Sequence, residues 1–169
     1  MGKARKVAGC VPVRIRNGTD EYEVLLVKSR WVEGVWLYPK GGVEEHEEAK
    51  MSAIRETREE AGVIGRLGPK LGSYKSSTGK EVHKMWILFV EEEYDETDKR
   101  WKERGKRARH WYSLPEAVKI IEDVGEEKFR PELKKMTTKT MKKLDKLKDD
   151  GAPNSETFED DDADEEEDG

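Results

Sequence analysis

Two β-rich segments near the start of the chain predict a hairpin. The first covers residues 7–16 and the second residues 22–27, and the Asn17-Gly18 pair between them is a strong signal for a tight turn. Pro12 lies within the first segment and has no N–H to donate, so we expect it at a sheet edge or a bulge. The chain therefore begins with an antiparallel pair of strands.

The next stretches alternate between short apolar segments and a helical pattern. Residues 36–39 are apolar and end at Lys40-Gly41-Gly42, after which residues 49–61 take a helical period that ends at Gly62, a typical helix C-cap. Residues 82–90 include an unbroken apolar run, which is typical of a central strand buried on both faces.

The last third predicts a strand and two helices. Residues 108–114 favour a strand, and residues 115–122 favour a helix with Pro115 in its first turn. A final helix is expected over about 131–148, with lysines on its outer face. Its inner face carries residues at three- and four-residue spacing: Leu133, Met136, Thr140, Met141, Leu144 and Leu147. Strands and helices in this order favour an α/β sandwich with a mixed β-sheet, as a single domain over residues 1–148.

Charge divides the chain into two parts. Of 169 residues, 42% are charged and the net charge is −5, but residues 149–169 hold twelve acids and no lysine or arginine. Residues 1–148 consequently carry a net charge of +7. The acidic segment has too few apolar residues to offset the entropy of ordering, so we expect a disordered acidic C-terminal tail at 149–169.

Several classes of protein are excluded by composition. A mean hydropathy of −0.99 and the lack of an apolar run near 20 residues argue against a membrane span. The single Cys10 excludes an intrachain disulfide framework and a cysteine-rich zinc site. We expect a monomer that works in the cytoplasm, the nucleus or both.

The predicted helix at 49–61 carries a group of carboxylates. Glu56 and Glu60 are one turn apart and share a face, with Glu59 beside them. Taken alone, such a run is more often a solvated helix face. Since the carboxylates repel one another, their clustering becomes favourable where they bind a hard cation such as Mg²⁺, which prefers oxygen ligands. Such a cation polarises phosphoryl oxygens, so the cluster suggests attack on a polyphosphate.

The spacing around these carboxylates is more specific than the carboxylates themselves. In chain order it reads Gly41, five residues, Glu47, seven residues, Arg55-Glu56, two residues, Glu59-Glu60, one residue, Gly62 and Val63. This pattern resembles the signature of the Nudix hydrolases, which cleave nucleoside diphosphates linked to other moieties and related pyrophosphates. One position departs from the family pattern, because Thr57 stands where an aliphatic residue is usual.

The resemblance implies a fold and a set of roles. The fold would be the Nudix α/β/α sandwich. Glu56 and Glu60 would be the main ligands of Mg²⁺, for which Mn²⁺ can substitute, and Glu59 would be a further ligand or the base that deprotonates water. Glu47 would pair with Arg55 and brace the loop.

The glycines of the motif also acquire a role from the resemblance. Gly41 and Gly42 would let the main chain approach metal and phosphates closely, with a carbonyl near Lys40 or Gly41 as a further ligand.

The flanking sequence resembles one branch of the family, the diphosphoinositol polyphosphate phosphohydrolases of fungal or plant type, which also cleave diadenosine polyphosphates. The matching stretches are Trp36-Leu-Tyr-Pro-Lys-Gly-Gly42, His83-Lys-Met-Trp86, Trp101 and Arg107-Ala-Arg109. Human-type members have glycine at the position of Lys40, so a contact from that side chain would be a variation on the branch.

A diphosphoinositol substrate is highly anionic, so its site needs several cations. Arg107 and Arg109 alternate along a predicted strand and would share a face. The substrate-binding residues that we expect are Arg5, Ser29, Arg30, Lys40, Gly41, Gly42, His83, Arg107, Arg109 and Lys128. Lys6 is a further candidate. Lys80 and Lys84 are weaker ones, because Glu81 and Val82 stand where the branch has a basic residue.

Two alternatives remain open from the sequence. One is a Nudix enzyme for another nucleotide substrate, such as an mRNA cap or a nucleoside diphosphate derivative. The other is a non-catalytic sensor of inositol pyrophosphates, although Glu56, Glu59 and Glu60 are all present. The expected partner is a small-molecule polyphosphate; no membrane and no dedicated nucleic-acid-binding segment is indicated.

Overall fold

The computed structural model describes residues 3–150 and contains seven strands and three helices in that range. The elements in chain order are β1 (Arg5–Ile15), β2 (Tyr22–Lys28), β3 (Trp36–Leu37), β4 (Lys40–Gly42), α1 (Ala49–Ala61), β5 (Val63–Lys75), β6 (Glu81–Glu93), β7 (Arg109–Ser113), α2 (Leu114–Glu122) and α3 (Pro131–Asp149). The tail predicted at 149–169 lies outside the described residues except for its first two positions.

The seven strands form one mixed sheet. Its main order is β3-β2-β1-β6-β5, with β4 paired to β1 and β7 paired to β2. β1 and β6 run parallel, while the other pairs are antiparallel. The predicted α/β architecture with a mixed sheet is confirmed. None of the helices within residues 3–150 has the length and apolar character needed to cross a membrane.

The predicted hairpin is confirmed, but the predicted position of Pro12 at a sheet edge or bulge was wrong. β1 and β2 pair from Val13↔Val24 to Ile15↔Tyr22, and Pro12 lies within the central strand β1 opposite Leu88 of β6. The Cys10 N–H donates to the Pro39 carbonyl over 3.2 Å, so the nitrogen of Pro12, two residues on, faces the same side of β1. There it lies between the residues of β1 that pair with β4 and those that pair with β2, where proline is tolerated. No ladder hydrogen bond is lost.

Two strands differ from the sequence prediction. Lys40–Gly42 does not only end an apolar stretch; it forms β4, which pairs with Val7–Gly9 of β1. β5 was not predicted at all, since its three glycines and Pro69 break the alternating pattern. The register between β5 and β6 shifts at three places, so the irregular sequence matches an irregular strand.

Helix α1 packs on the sheet through small side chains. Ser52, Ala53, Thr57 and Ala61 are buried. The hydroxyl of Thr57 donates to the Ala53 carbonyl oxygen over 2.7 Å, so the polar atom is satisfied inside the helix. Threonine therefore replaces the usual aliphatic residue at this position without leaving a buried donor unpaired.

Helix α3 also packs against the sheet and matches its predicted face. Leu133, Met136, Thr140 and Leu144 are buried, whereas Met141 and Leu147 are half-buried at the margin of the core. The phenol of Tyr38 hydrogen-bonds Thr137 Oγ1 over 2.6 Å and ties α3 to the segment between β3 and β4. That segment leads directly into the motif.

Candidate active site

The carboxylates of the motif lie on α1 near its C-terminal end, next to the short strand β4. Gly62 ends α1 in the left-handed conformation, with φ of 67°, and its N–H donates to the Arg58 carbonyl. A residue with a side chain would be strained at this φ, so the glycine fixes where the helix stops and where the chain enters β5.

Arg55 is the centre of an ion-pair network. Its Nε and Nη2 donate to Glu47 over 2.9 and 3.0 Å, and its Nη1 donates to Glu56 over 2.9 Å and to Glu59 over 3.2 Å. The Arg55 hydrogen bonds, with one from Ser52, hold the pKa of Glu47 at about 2. Arg55 and Glu47 make the contact that the resemblance implies, and the network fixes the directions of Glu56 and Glu59.

Glu60 is half-buried and contacts groups outside α1. Its Oε2 accepts the backbone N–H of Lys40 over 3.0 Å and lies 3.9 Å from Arg107 Nη1. Burial raises the pKa of Glu60 to about 7, against the opposing effects of those two donors. Burial also raises the pKa of Glu56. A cation bound beside these carboxylates would stabilise their charged forms and lower their pKa values.

Gly41 places the main chain of β4 directly against Glu56. A Cβ atom at this position would overlap with the Glu56 carboxyl group, so glycine allows the approach without displacing that carboxyl group. Gly42 is similarly close to the guanidinium of Arg5. β4 therefore brings backbone carbonyls to the carboxylate end of α1.

The donor set fits a hard divalent cation. Glu56, Glu59 and Glu60 offer carboxylate oxygens, the ligand type that Mg²⁺ prefers, and the Gly42 carbonyl oxygen lies nearby, 3.4 Å from Arg55 Nη2. Within residues 3–150 no three carboxylates already converge as a ready-made metal cluster, since Arg55 Nη1 lies between Glu56 and Glu59.

A fourth carboxylate, Glu103, was missed in the sequence. It lies in the loop before β7, and its backbone N–H donates to the Glu59 carbonyl over 2.9 Å. Its Oε1 accepts Arg30 Nη1 and Arg107 Nη2, both over 3.2 Å. No motif marks Glu103, because it lies in a loop rich in both signs of charge and reaches α1 only through the tertiary fold.

Arg107 and Arg109 bind different parts of the structure. Arg107 lies beside Glu60 and Glu103, at the carboxylate end of α1. Arg109 instead donates to the carbonyl oxygens of Ala61, Gly62 and Tyr94, and its guanidinium stacks on Trp101 at 3.8 Å from the ring centroid. The donors of Arg109 are thus occupied by carbonyl oxygens at the end of α1 and at Tyr94, and Arg109 is not among the substrate contacts proposed below.

A cleft of about 350 Å³ lies on the other side of Lys40. Lys40 interacts electrostatically with Glu60 and also with Glu81, Arg130 and Glu132 of the cleft, and burial lowers its pKa. Lys40 thus stands between the carboxylate end of α1 and the cleft.

His83 lies in this cleft and is 3% exposed. Its Nε2 is 3.0 Å from Glu81 Oε1, while its buried Nδ1 finds no partner among residues 3–150. Burial, reinforced by the charge of Lys40, lowers the pKa of His83. Arg5 also pairs with Glu81, over 3.3 Å.

The remaining predicted residues lie in two loops, one between β2 and β3 and one between α2 and α3. Ser29 Oγ accepts two backbone N–H groups of its own loop, and Arg30 contacts Glu103. Lys128 Nζ donates to the Glu33 carbonyl over 3.1 Å and lines the cleft. The fold therefore brings Arg30 and Arg107 together at Glu103, beside the carboxylates. It brings Arg5 and His83 together at Glu81, with Lys128 on the same cleft and Lys40 interacting with both groups.

Known proteins are similar to this chain in sequence and in fold. The chain is 42% identical over 129 residues to Nudix hydrolase 4 of Arabidopsis thaliana, which covers 70% of this chain and 60% of that protein. It is 34% identical over 120 residues to diphosphoinositol polyphosphate phosphohydrolase 2 of Homo sapiens, covering 70% and 63%. The match thus spans less than two thirds of these relatives' own length.

Solved structures support the fold. A C. elegans Ap4A hydrolase superposes with a TM-score of 0.60 at 24% identity, covering 83% of this chain and 98% of that one. A mutT/nudix family protein from Listeria innocua gives a TM-score of 0.62 at 16% identity, covering 86% and 97%. At these identities the likeness establishes architecture.

The NUDIX domain family profile matches residues 4–137, a range that includes the sheet, the carboxylate helix and the bordering cations. The predicted family and its α/β/α fold are therefore confirmed, and this chain belongs to the NUDIX domain family.

Proposed function

We propose that this protein hydrolyses phosphoanhydride bonds in diphosphoinositol polyphosphates, releasing inorganic phosphate, and in diadenosine polyphosphates. The observation that carries the proposal is the position of Glu60, a half-buried carboxylate that accepts the backbone N–H of Lys40 and lies 3.9 Å from the Arg107 guanidinium. Carboxylates that suit a divalent cation thus adjoin side chains that suit phosphate oxygens. The relatives support this choice, since they include a diphosphoinositol polyphosphate phosphohydrolase.

Glu56 and Glu60 would hold Mg²⁺, with a carbonyl of Lys40 or Gly41 as a further ligand and Mn²⁺ as a substitute. When bound, the cation neutralises phosphoryl charge and lowers the pKa of water. Arg55 keeps Glu56 and Glu59 oriented through its hydrogen bonds, and Glu47 holds Arg55 in place.

The reaction is an attack of water on phosphorus. The water oxygen forms a bond to one phosphorus of the phosphoanhydride, the bond from that phosphorus to the bridging oxygen breaks, and the bridging oxygen leaves with the other phosphate. For a diphosphoinositol polyphosphate the attacked phosphorus is the outer one, so the products are inorganic phosphate and an inositol phosphate; for a diadenosine polyphosphate both products are nucleotides. Glu59 accepts the proton of the attacking water, since it lies beside Glu56 and is held by Arg55. The charge that develops on the phosphate oxygens is met by fixed cations.

Besides Arg55, which orients Glu56 and Glu59, the cations beside the carboxylates are Arg107 and Lys40, and Arg30 joins them through Glu103. Arg30 and Arg107 share Glu103, which lets two guanidinium groups lie close together without repelling each other. His83 and Lys128 line the cleft and Arg5 borders it through Glu81, so these three would bind the remaining phosphates; the lining also includes the carboxylates of Glu81, Glu127 and Glu132. A polyanion with phosphates distributed around a ring matches this distribution of cations.

A substrate panel at one Mg²⁺ concentration tests the proposal. We expect phosphate release from a diphosphoinositol polyphosphate with Mg²⁺, slower cleavage of a diadenosine polyphosphate, and no turnover of either substrate with a chelator. Binding of the inositol substrate without phosphate release would instead identify a sensor. Preference for a capped RNA or a nucleoside diphosphate derivative would assign the protein to another substrate.

Glu60→Gln tests the carboxylate site itself. The amide keeps the shape of the side chain but cannot provide a charged oxygen ligand, so we expect kcat to fall by about 10²- to 10⁴-fold. Because desolvation raises the pKa of Glu60, the folded protein favours a neutral side chain at this position, and the melting temperature of the variant at pH 8 should stay close to that of the wild type.

The matched control is Glu45→Gln, in the same motif segment. The Glu45 side chain is 90% exposed, so its charge contributes little to the site. We expect its kcat to stay within about twofold of the wild type. Equal losses in both variants, or full activity of Glu60→Gln, would contradict the assignment.

A further inference from the structure

The loop between β2 and β3, residues 29–35, has a fixed backbone. Ser29 Oγ accepts the backbone N–H groups of Trp31 and Val32 over 3.3 and 3.1 Å, and the Ser29 N–H donates to the Val35 carbonyl over 2.8 Å. Val35 is 2% exposed and anchors the loop to the core. The position of Trp31 is therefore set by the loop around it.

The side chain of Trp31 projects into solvent from this fixed loop. It is 85% exposed, against 55% for Met51 and 41% for Ile15, the other large exposed apolar side chains within residues 3–150. Single exposed apolar residues are common and need no function. The location of Trp31 relative to the candidate site is what distinguishes it from the other two.

Trp31 borders the proposed phosphate-binding cations. The guanidinium carbon of Arg30 is 5.4 Å from the centroid of the Trp31 ring, and the same guanidinium donates to Glu103. Glu103 also accepts Arg107, which lies 3.9 Å from Glu60. Two side chains, Glu103 and Arg107, thus separate Arg30 from the carboxylate site, so phosphates held by Arg30 and Arg107 lie next to an exposed indole.

We infer that Trp31 is a stacking platform for a purine base of a dinucleoside polyphosphate whose phosphates lie on Arg30 and Arg107. The inference rests on the proposed function and adds a base-binding subsite to it. A planar indole on a fixed loop offers a face to any base at little entropic cost. An inositol ring has no π face, so Trp31 discriminates between the two proposed substrate classes.

The test compares Trp31→Ala on two substrates. Base stacking on an aromatic side chain corresponds to roughly 5- to 150-fold in affinity. We expect KM for a diadenosine polyphosphate to rise within that range while kcat changes less than twofold. KM for a diphosphoinositol polyphosphate should stay within about twofold. Trp31→Phe keeps a stacking face and should restore most of the loss, and Met51→Ala serves as the control for removing an exposed apolar side chain.

A binding measurement separates this inference from the proposed function. Calorimetric titration with Mg²⁺ should show ADP binding the wild type more tightly than inorganic pyrophosphate does, and the difference should vanish in Trp31→Ala. Equal binding of ADP and pyrophosphate to the wild type would overturn the inference, as would equal KM increases for both substrates. Failure to cleave either substrate would overturn the proposed function, whereas the titration would still decide the role of Trp31.

Discussion

At the scale of single residues, buried polar atoms in this protein are placed so that each hydroxyl has a defined direction. Thr137 Oγ1 donates to the Leu133 carbonyl over 2.8 Å, so its contact with Tyr38 requires the phenol to be the donor. Thr57 likewise donates within its own helix. Removing the donor of such a hydrogen bond and removing its acceptor should therefore cost different amounts of stability.

We predict that Tyr38→Phe lowers the free energy of unfolding by about 1 kcal/mol, because one buried hydrogen bond is lost while Thr137 keeps its acceptor. Thr137→Val should cost more, about 1–3 kcal/mol, since it leaves the buried Tyr38 hydroxyl without its partner. Urea unfolding at pH 7 measures both. A smaller loss for Thr137→Val than for Tyr38→Phe would contradict the donor assignment.

At the scale of elements, the helices are positioned by their ends as much as by their buried faces. α2 begins with a capping box, in which Ser113 Oγ accepts the Glu116 N–H over 3.2 Å and the Glu116 carboxylate accepts the Ser113 N–H over 3.3 Å. α1 ends at Gly62, where Arg109 binds the last carbonyls. The second contact joins β7 to the helix that carries the candidate site.

We predict that Ser113→Ala destabilises the protein by about 1 kcal/mol, through loss of the N-cap hydrogen bond of α2. Chemical denaturation measures the change, and kcat on the preferred substrate should be unaltered because α2 does not contribute to the carboxylate site. Ser113→Asp, which keeps a capping oxygen, is the control and should recover most of the stability. An equal loss in both variants would show that the cap is not the cause.

At the scale of the whole molecule, the sheet and α1 enclose one thiol completely. Cys10 lies in the central strand β1 with no exposed surface and interacts with Thr57 of α1. Burial raises the pKa of Cys10 to about 12, so the reactive thiolate is scarce in the folded state at ordinary pH. Reaction at this thiol requires β1 and α1 to separate.

We predict that an alkylating reagent at pH 8 labels Cys10 only at the rate at which the protein unfolds. Labelling followed by mass spectrometry should be slow in buffer and complete in denaturant, and a bound substrate analogue should slow it further. Rapid labelling of the native protein would contradict the enclosed position. Cys10→Ala is the control that identifies the labelled site.

The sequence by itself determined the local patterns and the family. The spacing from Gly41 to Gly62 is local, so the helix, its C-cap and its carboxylates follow from neighbouring residues, and the paired strands around Asn17-Gly18 follow from turn chemistry. Pro12 and β5 were mispredicted or missed because sheet position and register depend on partners far along the chain.

Only the tertiary structure decided which charged residues border the carboxylates. Arg107 and Arg109 look equivalent in sequence, yet one lies at Glu60 and the other binds the carbonyls at the end of α1. Glu103 and Trp31 carry no signal in the sequence, because their neighbours are brought to them by loops that join distant strands. Charges act over a few ångströms in space, and spacing along the chain fixes such distances only within a single element.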